Sequence, residues 1–86
     1  MKLNRNFIVH RSEQETILVP AGGTAFSGII RGNEIFGDIL ALLEKEISEA
    51  DLLKGMTEIY DAPAEVLQKD ITRVLRELRE AGALDE

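Results

Sequence analysis

His10 is the chain's only histidine, and Ser12 lies two residues on in a β-favouring stretch, so the two share a strand face. A hydroxyl nucleophile beside an imidazole base also needs an orienting third group and an oxyanion site, and no convergent set of that kind is visible around FIVHRSEQE. With one histidine and no cysteine, neither a two-histidine metal site nor a thiolate site forms within one chain. His10 therefore reads as a strand-surface residue. Carboxylates are plentiful, yet they fall on helix exteriors beside cations: Glu65 with Lys69, Asp70 with Arg73, Glu77 with Arg73. Spacings of three and four describe exposed ion pairs on a solvated helix, not an acid/base couple. The glycine-rich AGGTAFSG has no Gly-Lys-Ser/Thr before a helix and no G-x-G-x-x-G, so Gly22-Gly23 reads as part of a turn between strands. The expectation is a protein that is not an enzyme, with no catalytic residue, no metal and no cofactor.

The bulk properties narrow the class further. Eighty-six residues suit a single domain over 1–86, and a chain of this size buries roughly 60% of its unfolded surface. The start, MKLNRNFIV, has no long apolar run, so neither a signal peptide nor a membrane span is expected and the cytoplasm is the expected compartment. The net charge of −6 is uneven: Lys2, Arg5, Arg11 and Arg31 outnumber Glu13 and Glu15 in the first 31 residues, while the remainder is strongly acidic. An acidic surface discourages phosphate backbones as partners.

The elements that must position any site follow from periodicity. Phe7–Arg11 and Thr16–Val19 are β-favouring runs, the second ended by Pro20. After the linker from Pro20 to Gly28, a short third strand fits Ile29–Arg31 before Gly32 stops it. Three strands in sequence make a small antiparallel meander with open outer edges. Asn33 offers a helix N-cap, and Ile35, Phe36, Ile39, Leu40, Leu43 and Ile47 keep helical spacing. Gly37 inside that helix is tolerable if another backbone approaches it, or is simply permitted there. Ser48 with Asp51 resembles a capping box for a second helix whose buried face carries Leu52, Leu53, Met56, Ile59 and Tyr60. The stretch from Asp61 to Leu84 reads as a third helix, capped by Asp61 before Pro63 and closed by a left-handed Gly82 with Leu84 folding back. Its stripe of Leu67, Ile71, Val74, Leu75 and Leu78 must face a core. The fold class is α+β and winged-helix-like: a three-stranded antiparallel sheet followed by a three-helix bundle.

A winged helix raises the prospect of DNA binding, with the third helix as recognition element. Between Glu65 and Glu80 that helix carries as many acidic as basic side chains, whereas a helix among phosphates shows a basic excess. No nucleic-acid partner is expected. The alternative is a trough between an edge strand and the long helix, where an extended peptide adds as a further strand. Val66, Asp70, Arg73 and Glu77 line one flank of the core stripe; Gln68, Thr72 and Arg79 lie on the other. Val66 is either a groove contact or an incidental surface valine.

The run Gly28-Ile29-Ile30-Arg31-Gly32-Asn33, then IFGDILALLE, then YDAPAEVLQKDITRVLRELREAGAL resembles the PqqD-like family over nearly the whole chain. That family is named for a protein of pyrroloquinoline quinone biosynthesis and lends its fold to the recognition elements of ribosomally made, modified peptides. Two features depart from it: Gly32 stands where leucine often precedes the asparagine, and the Pro20–Gly28 segment is longer than a tight hairpin. The resemblance implies a non-catalytic adaptor that grips the leader of a precursor peptide along the third strand and against the third helix. It then presents the leader to a modifying enzyme, often a radical S-adenosylmethionine protein. Carried across, the peptide-binding residues are Ile29, Ile30 and Arg31 on the edge and Val66, Asp70, Arg73 and Val74 on the facing wall, with Arg31 and Arg73 as partners for acidic leader residues. Two alternatives stay open: a winged-helix nucleic-acid binder, and a docking or dimerisation module. The chain is expected as a monomer or a homodimer.

Overall fold

The computed structural model describes residues 1–21 and 28–86. Among them the elements run β1 (Lys2–Leu3), β2 (Phe7–Arg11), β3 (Thr16–Pro20), β4 (Ile30–Gly32), α1 (Glu34–Leu42), α2 (Glu49–Ile59), α3 (Ala64–Ala81) and β5 (Leu84–Asp85). The turn expected across Gly22-Gly23 lies outside the described residues. Strands β2, β3 and β4 form an antiparallel sheet in that order, and three helices follow, which is the α+β layout expected. In β3, Thr16 and Leu18 are buried while Ile17 and Val19 are half-buried on the other face, the alternation that a two-residue side-chain period imposes. The strand is one residue longer than expected, because Pro20 still pairs with Phe7, and Ala21 N–H continues the ladder to Asn6 O at 2.7 Å.

The helical stripe of α3 behaves as its spacing requires: Leu67, Ile71, Val74, Leu75 and Leu78 are all buried, against Leu40 and Leu43 of the α1 segment and Leu52 and Met56 of α2. Each such side chain contributes on the order of 2 kcal/mol on leaving water, an upper figure because an unfolded chain already shields part of it. At the C-terminus Gly82 adopts φ 72°, where only glycine is unstrained, and Ala83 N–H reaches back to Leu78 O at 2.8 Å. At the N-terminus the expectation fails. Asp61 is exposed and caps nothing; Pro63 is the N-cap, without a side-chain bond, and the helix begins at Ala64. Proline's fixed φ already starts the turn, and Pro63 O accepts from the N–H groups of Val66 and Leu67.

Three further boundaries differ from periodicity alone. Helix α1 is capped by Asn33, whose side chain accepts from Phe36 N–H at 3.1 Å, but it ends at Leu42 and does not reach Ile47. Ile47 N–H instead bonds Met1 O at 2.9 Å, a partner 46 residues away that no local spacing reveals. Helix α2 opens at Ser48, which accepts from Asp51 N–H. Its expected core residue Ile59 is 52% exposed at the last position of the helix, while Tyr60 packs partly buried against the core. Finally, β1 and β5 pair the two ends of the chain, Lys2 with Asp85 and Leu3 with Leu84; two residues apiece are too few for a period to show.

Gly37 marks a close approach, by side chains and not by backbone. A Cβ there would sit 2.4 Å from Thr16 Oγ1 and 2.9 Å from Arg11 Nε, so the glycine lets α1 lie directly on β2 and β3.

Candidate functional site

The third sheet strand is an edge. β4 pairs with β3 through Leu18–Ile30, Ile17–Arg31 and Thr16–Gly32, and its other side has no ladder partner among the described residues. The strand runs from Ile30 to Gly32, one residue later than expected, since Gly32 joins the ladder opposite Thr16 and does not stop the run. Glycine is needed there for space: a Cβ would lie 2.4–2.5 Å from Phe36 side-chain atoms. Ile30 packs on the core and Arg31 points to solvent.

Beside this edge the chain leaves a trough against the C-terminal half of α3. One sub-cleft is bounded by Ile29, Ile30, Arg31, Glu77, Glu80 and Ala81. The next is bounded by Arg31, Gly32 and Asn33 on the strand side, by Arg73, Val74 and Glu77 on the helix side, and by Phe36. Phe36 and Val74 are 2% and 1% exposed, so they form an apolar floor below charged walls. The opposite flank of α3 is occupied: Gln68 Nε2 donates to Glu49 of α2 at 2.8 Å and to Thr72 at 3.2 Å. Which flank faces the edge strand is thus a matter of how α2 packs, and it is the Arg73–Glu77 flank.

Of the residues expected to bind, Ile29, Ile30, Arg31, Arg73 and Val74 border the trough. Asp70 is half-buried and makes a 3.5 Å ion pair with Arg73. Val66 is 48% exposed on the first turn of α3, seven residues before Arg73 and so about 10 Å from it along the axis. Glu80 and Ala81 were not anticipated, although they continue the Arg73–Glu77 flank at helical spacing. Phe36 carried no signal separating it from the rest of the core.

A second constellation holds the trough's α1 wall in place. Asp38 accepts from Arg11 Nη2 at 2.6 Å and from Tyr60 Oη at 2.5 Å, and Arg11 also reaches Glu34 O at 3.4 Å. Burial alone would raise the Asp38 pKa; the bonds from Tyr60 and Arg11 and the nearby guanidinium charge outweigh it and hold the carboxyl below its ordinary value. The Tyr60 phenol is pushed up, first by burial and then by its bond to Asp38. Ser12 Oγ donates to Glu15 O at 3.0 Å within the β2–β3 hairpin, and His10 is exposed on β2. Among the described residues no cluster of three or more metal-ligating side chains occurs, and no helix is long and apolar enough to cross a membrane.

A small winged-helix-like α+β domain whose free strand edge and last helix enclose a trough is therefore the class that this fold and site define. The family model described as Coenzyme PQQ synthesis protein D (PqqD) matches residues 15–84, and the chain belongs to that family. Among solved structures, TbiB1 in complex with the TbiA(beta) leader peptide matches with a TM-score of 0.78 over 99% of this chain and 95% of that one. The two share 16% sequence identity, so the likeness is one of fold. No curated protein matches this chain.

Proposed function

We propose that residues 1–86 act as one peptide-recognition domain that binds the leader segment of a ribosomally made precursor peptide. The leader adds as a strand to β4 and lies against α3, and the domain presents it to a modifying enzyme. The observation that carries this reading is the outer edge of β4, which has no ladder partner among the described residues and stands across an apolar-floored trough from α3. Main-chain hydrogen bonds along such an edge supply affinity independent of side chains, while the floor selects which residues point inward. Ile29, Ile30 and Arg31 form the accepting edge, Arg73 and Val74 the facing wall, and Asp70 and Val66 extend that wall for a longer segment. The family and the fold shared with a leader-bound protein support the reading.

In this role the domain is an adaptor without a cofactor of its own, and the covalent chemistry belongs to its partner, a radical S-adenosylmethionine enzyme in the family's common arrangement. It works in the cytoplasm, as a monomer or a homodimer. The test is calorimetry with a synthetic leader taken from a short peptide frame beside the gene, combined with amide chemical shifts. Saturable binding that moves the amide signals of β4 and of α3 from Arg73 to Ala81 is the expected result. Binding that leaves those signals in place would sink the strand-addition reading.

A further inference from the structure

We infer that the trough reads the order of charges in the peptide it holds. The Glu77–Glu80 sub-cleft takes a basic side chain, and the Arg73 sub-cleft takes an acidic one. The two come from alternate residues of one extended segment, in the order acidic, any residue, basic. This rests on the strand-addition reading and adds to it the chemical class of segment that the edge accepts.

The two sub-clefts share Arg31 and Glu77 and differ in their remaining charge. Glu80 gives the first an excess carboxylate, and Arg73 gives the second an excess cation. These charges are available to a ligand. Arg31, Glu77 and Glu80 have no ion-pair partner among the described residues, and Arg73 is held only by Asp70 at 3.5 Å with half of its side chain in solvent.

Spacing then ties the two subsites to one strand. On the strand wall the two sub-clefts are centred two residues apart, on Ile30 and on Gly32, while on the helix wall the charges that distinguish them, Arg73 and Glu80, stand seven residues apart, about 10 Å along the axis. An extended peptide repeats its side chains on one face every two residues, about 6.6–6.8 Å. Alternate residues of an added strand therefore fall one into each sub-cleft. Direction follows from the sheet. β4 runs from the Glu80 sub-cleft, beside Ile29 and Ile30, to the Arg73 sub-cleft, beside Gly32 and Asn33. Both existing strand pairs are antiparallel, and a peptide continuing that pattern meets Arg73 first and Glu80 second.

The test uses fluorescein-labelled twelve-residue peptides on one valine/threonine frame with Asp-Val-Lys, Lys-Val-Asp or Ser-Val-Ser at the centre. Anisotropy gives affinity, and the amide signals of β4 report where each peptide sits. The Asp-Val-Lys peptide is expected to bind about fivefold more tightly than the reversed one, as two exposed ion pairs supply, and the difference should shrink in high salt. The doubly substituted chain Arg73→Glu, Glu80→Lys, both positions exposed on α3, should reverse the preference while its circular dichroism stays unchanged. Binding at β4 with no order preference, or one that the double substitution leaves as it was, overturns the charge-order inference and leaves strand addition standing. If none of the peptides, nor the synthetic leader, moves the β4 signals, both fall together.

Discussion

Tyr60 donates a hydrogen bond of 2.5 Å to Asp38, joining the end of α2 to the middle of α1 across 22 residues of chain. The other carboxylate oxygen of Asp38 accepts from Arg11 of β2, so one side chain ties sheet, first helix and second helix together. Because α1 carries Phe36 into the trough floor and begins at Asn33 on its rim, this junction ties a helix that borders the candidate site to the sheet and to α2.

Breaking the junction should cost stability in proportion to what is left unpaired. Tyr60→Phe removes one bond and should cost about 1 kcal/mol, whereas Asp38→Ala strands both a half-buried phenol and a guanidinium and should cost about 2–3 kcal/mol. Urea unfolding of both variants checks the order; equal losses would mean that Asp38 matters to only one partner.

The same group predicts the acid limb. Its folded pKa lies below the ordinary 3.8, so the unfolded chain takes up the proton at higher pH than the folded one. The stability that Asp38 contributes is therefore complete above that ordinary value and is lost as pH falls through the folded value. Unfolding midpoints measured from neutral pH downward should fall less steeply in Asp38→Asn than in the parent chain.

At the alkaline end the sign reverses. Tyr60 has a raised pKa, so the stability tied to its neutral phenol is full below 10.0, the ordinary tyrosine value, and is lost as pH rises toward the folded value. The chain has one tyrosine and no tryptophan, and ultraviolet titration therefore reads this group alone. Ionisation in the native protein should lag well behind that in urea; coincident curves would remove the half-buried hydrogen bond from the account.

At two glycines an added methyl meets packed side chains. Gly37→Ala gains about 1 kcal/mol of helix propensity but drives a methyl onto buried Thr16 and onto Arg11, and overpacking of this kind costs about 1–3 kcal/mol. The clash should win and lower the thermal midpoint. Gly32→Ala strikes the Phe36 ring in the trough floor, so it should weaken leader binding as well as stability.

Successive N–H groups of a strand point to opposite sides, so Ile30→Pro and Arg31→Pro remove donors that face opposite ways. One loses a ladder bond to β3 and should destabilise the fold; the other loses a donor on the free edge and should lower leader affinity at nearly unchanged stability. Calorimetry and urea unfolding on both variants give the answer, and two variants that keep full affinity would rule out pairing along β4.

Much of this architecture was legible in the order of residues. The stripe of Leu67, Ile71, Val74, Leu75 and Leu78, the caps Asn33, Ser48 and Gly82, and the β-favouring runs around Val9 and Leu18 depend on neighbours a few positions away. Such local terms are written into adjacent side chains. The end of α1 at Leu42, the pairing of Leu3 with Leu84 and the Arg11–Asp38–Tyr60 junction depend on partners tens of residues distant, which no window of local spacing contains.

The site divides along the same line. That α3 has one apolar stripe flanked by two polar faces, and that a short β-favouring run precedes Asn33, was determined by sequence alone, because periodicity fixes which side chains share a face. Tertiary structure decided which polar face borders β4. Gln68 donates to Glu49 of α2 and to Thr72, leaving Arg73, Glu77 and Glu80 over the β4 edge, since the angle at which one helix packs on another is set by the whole core and not by either helix alone.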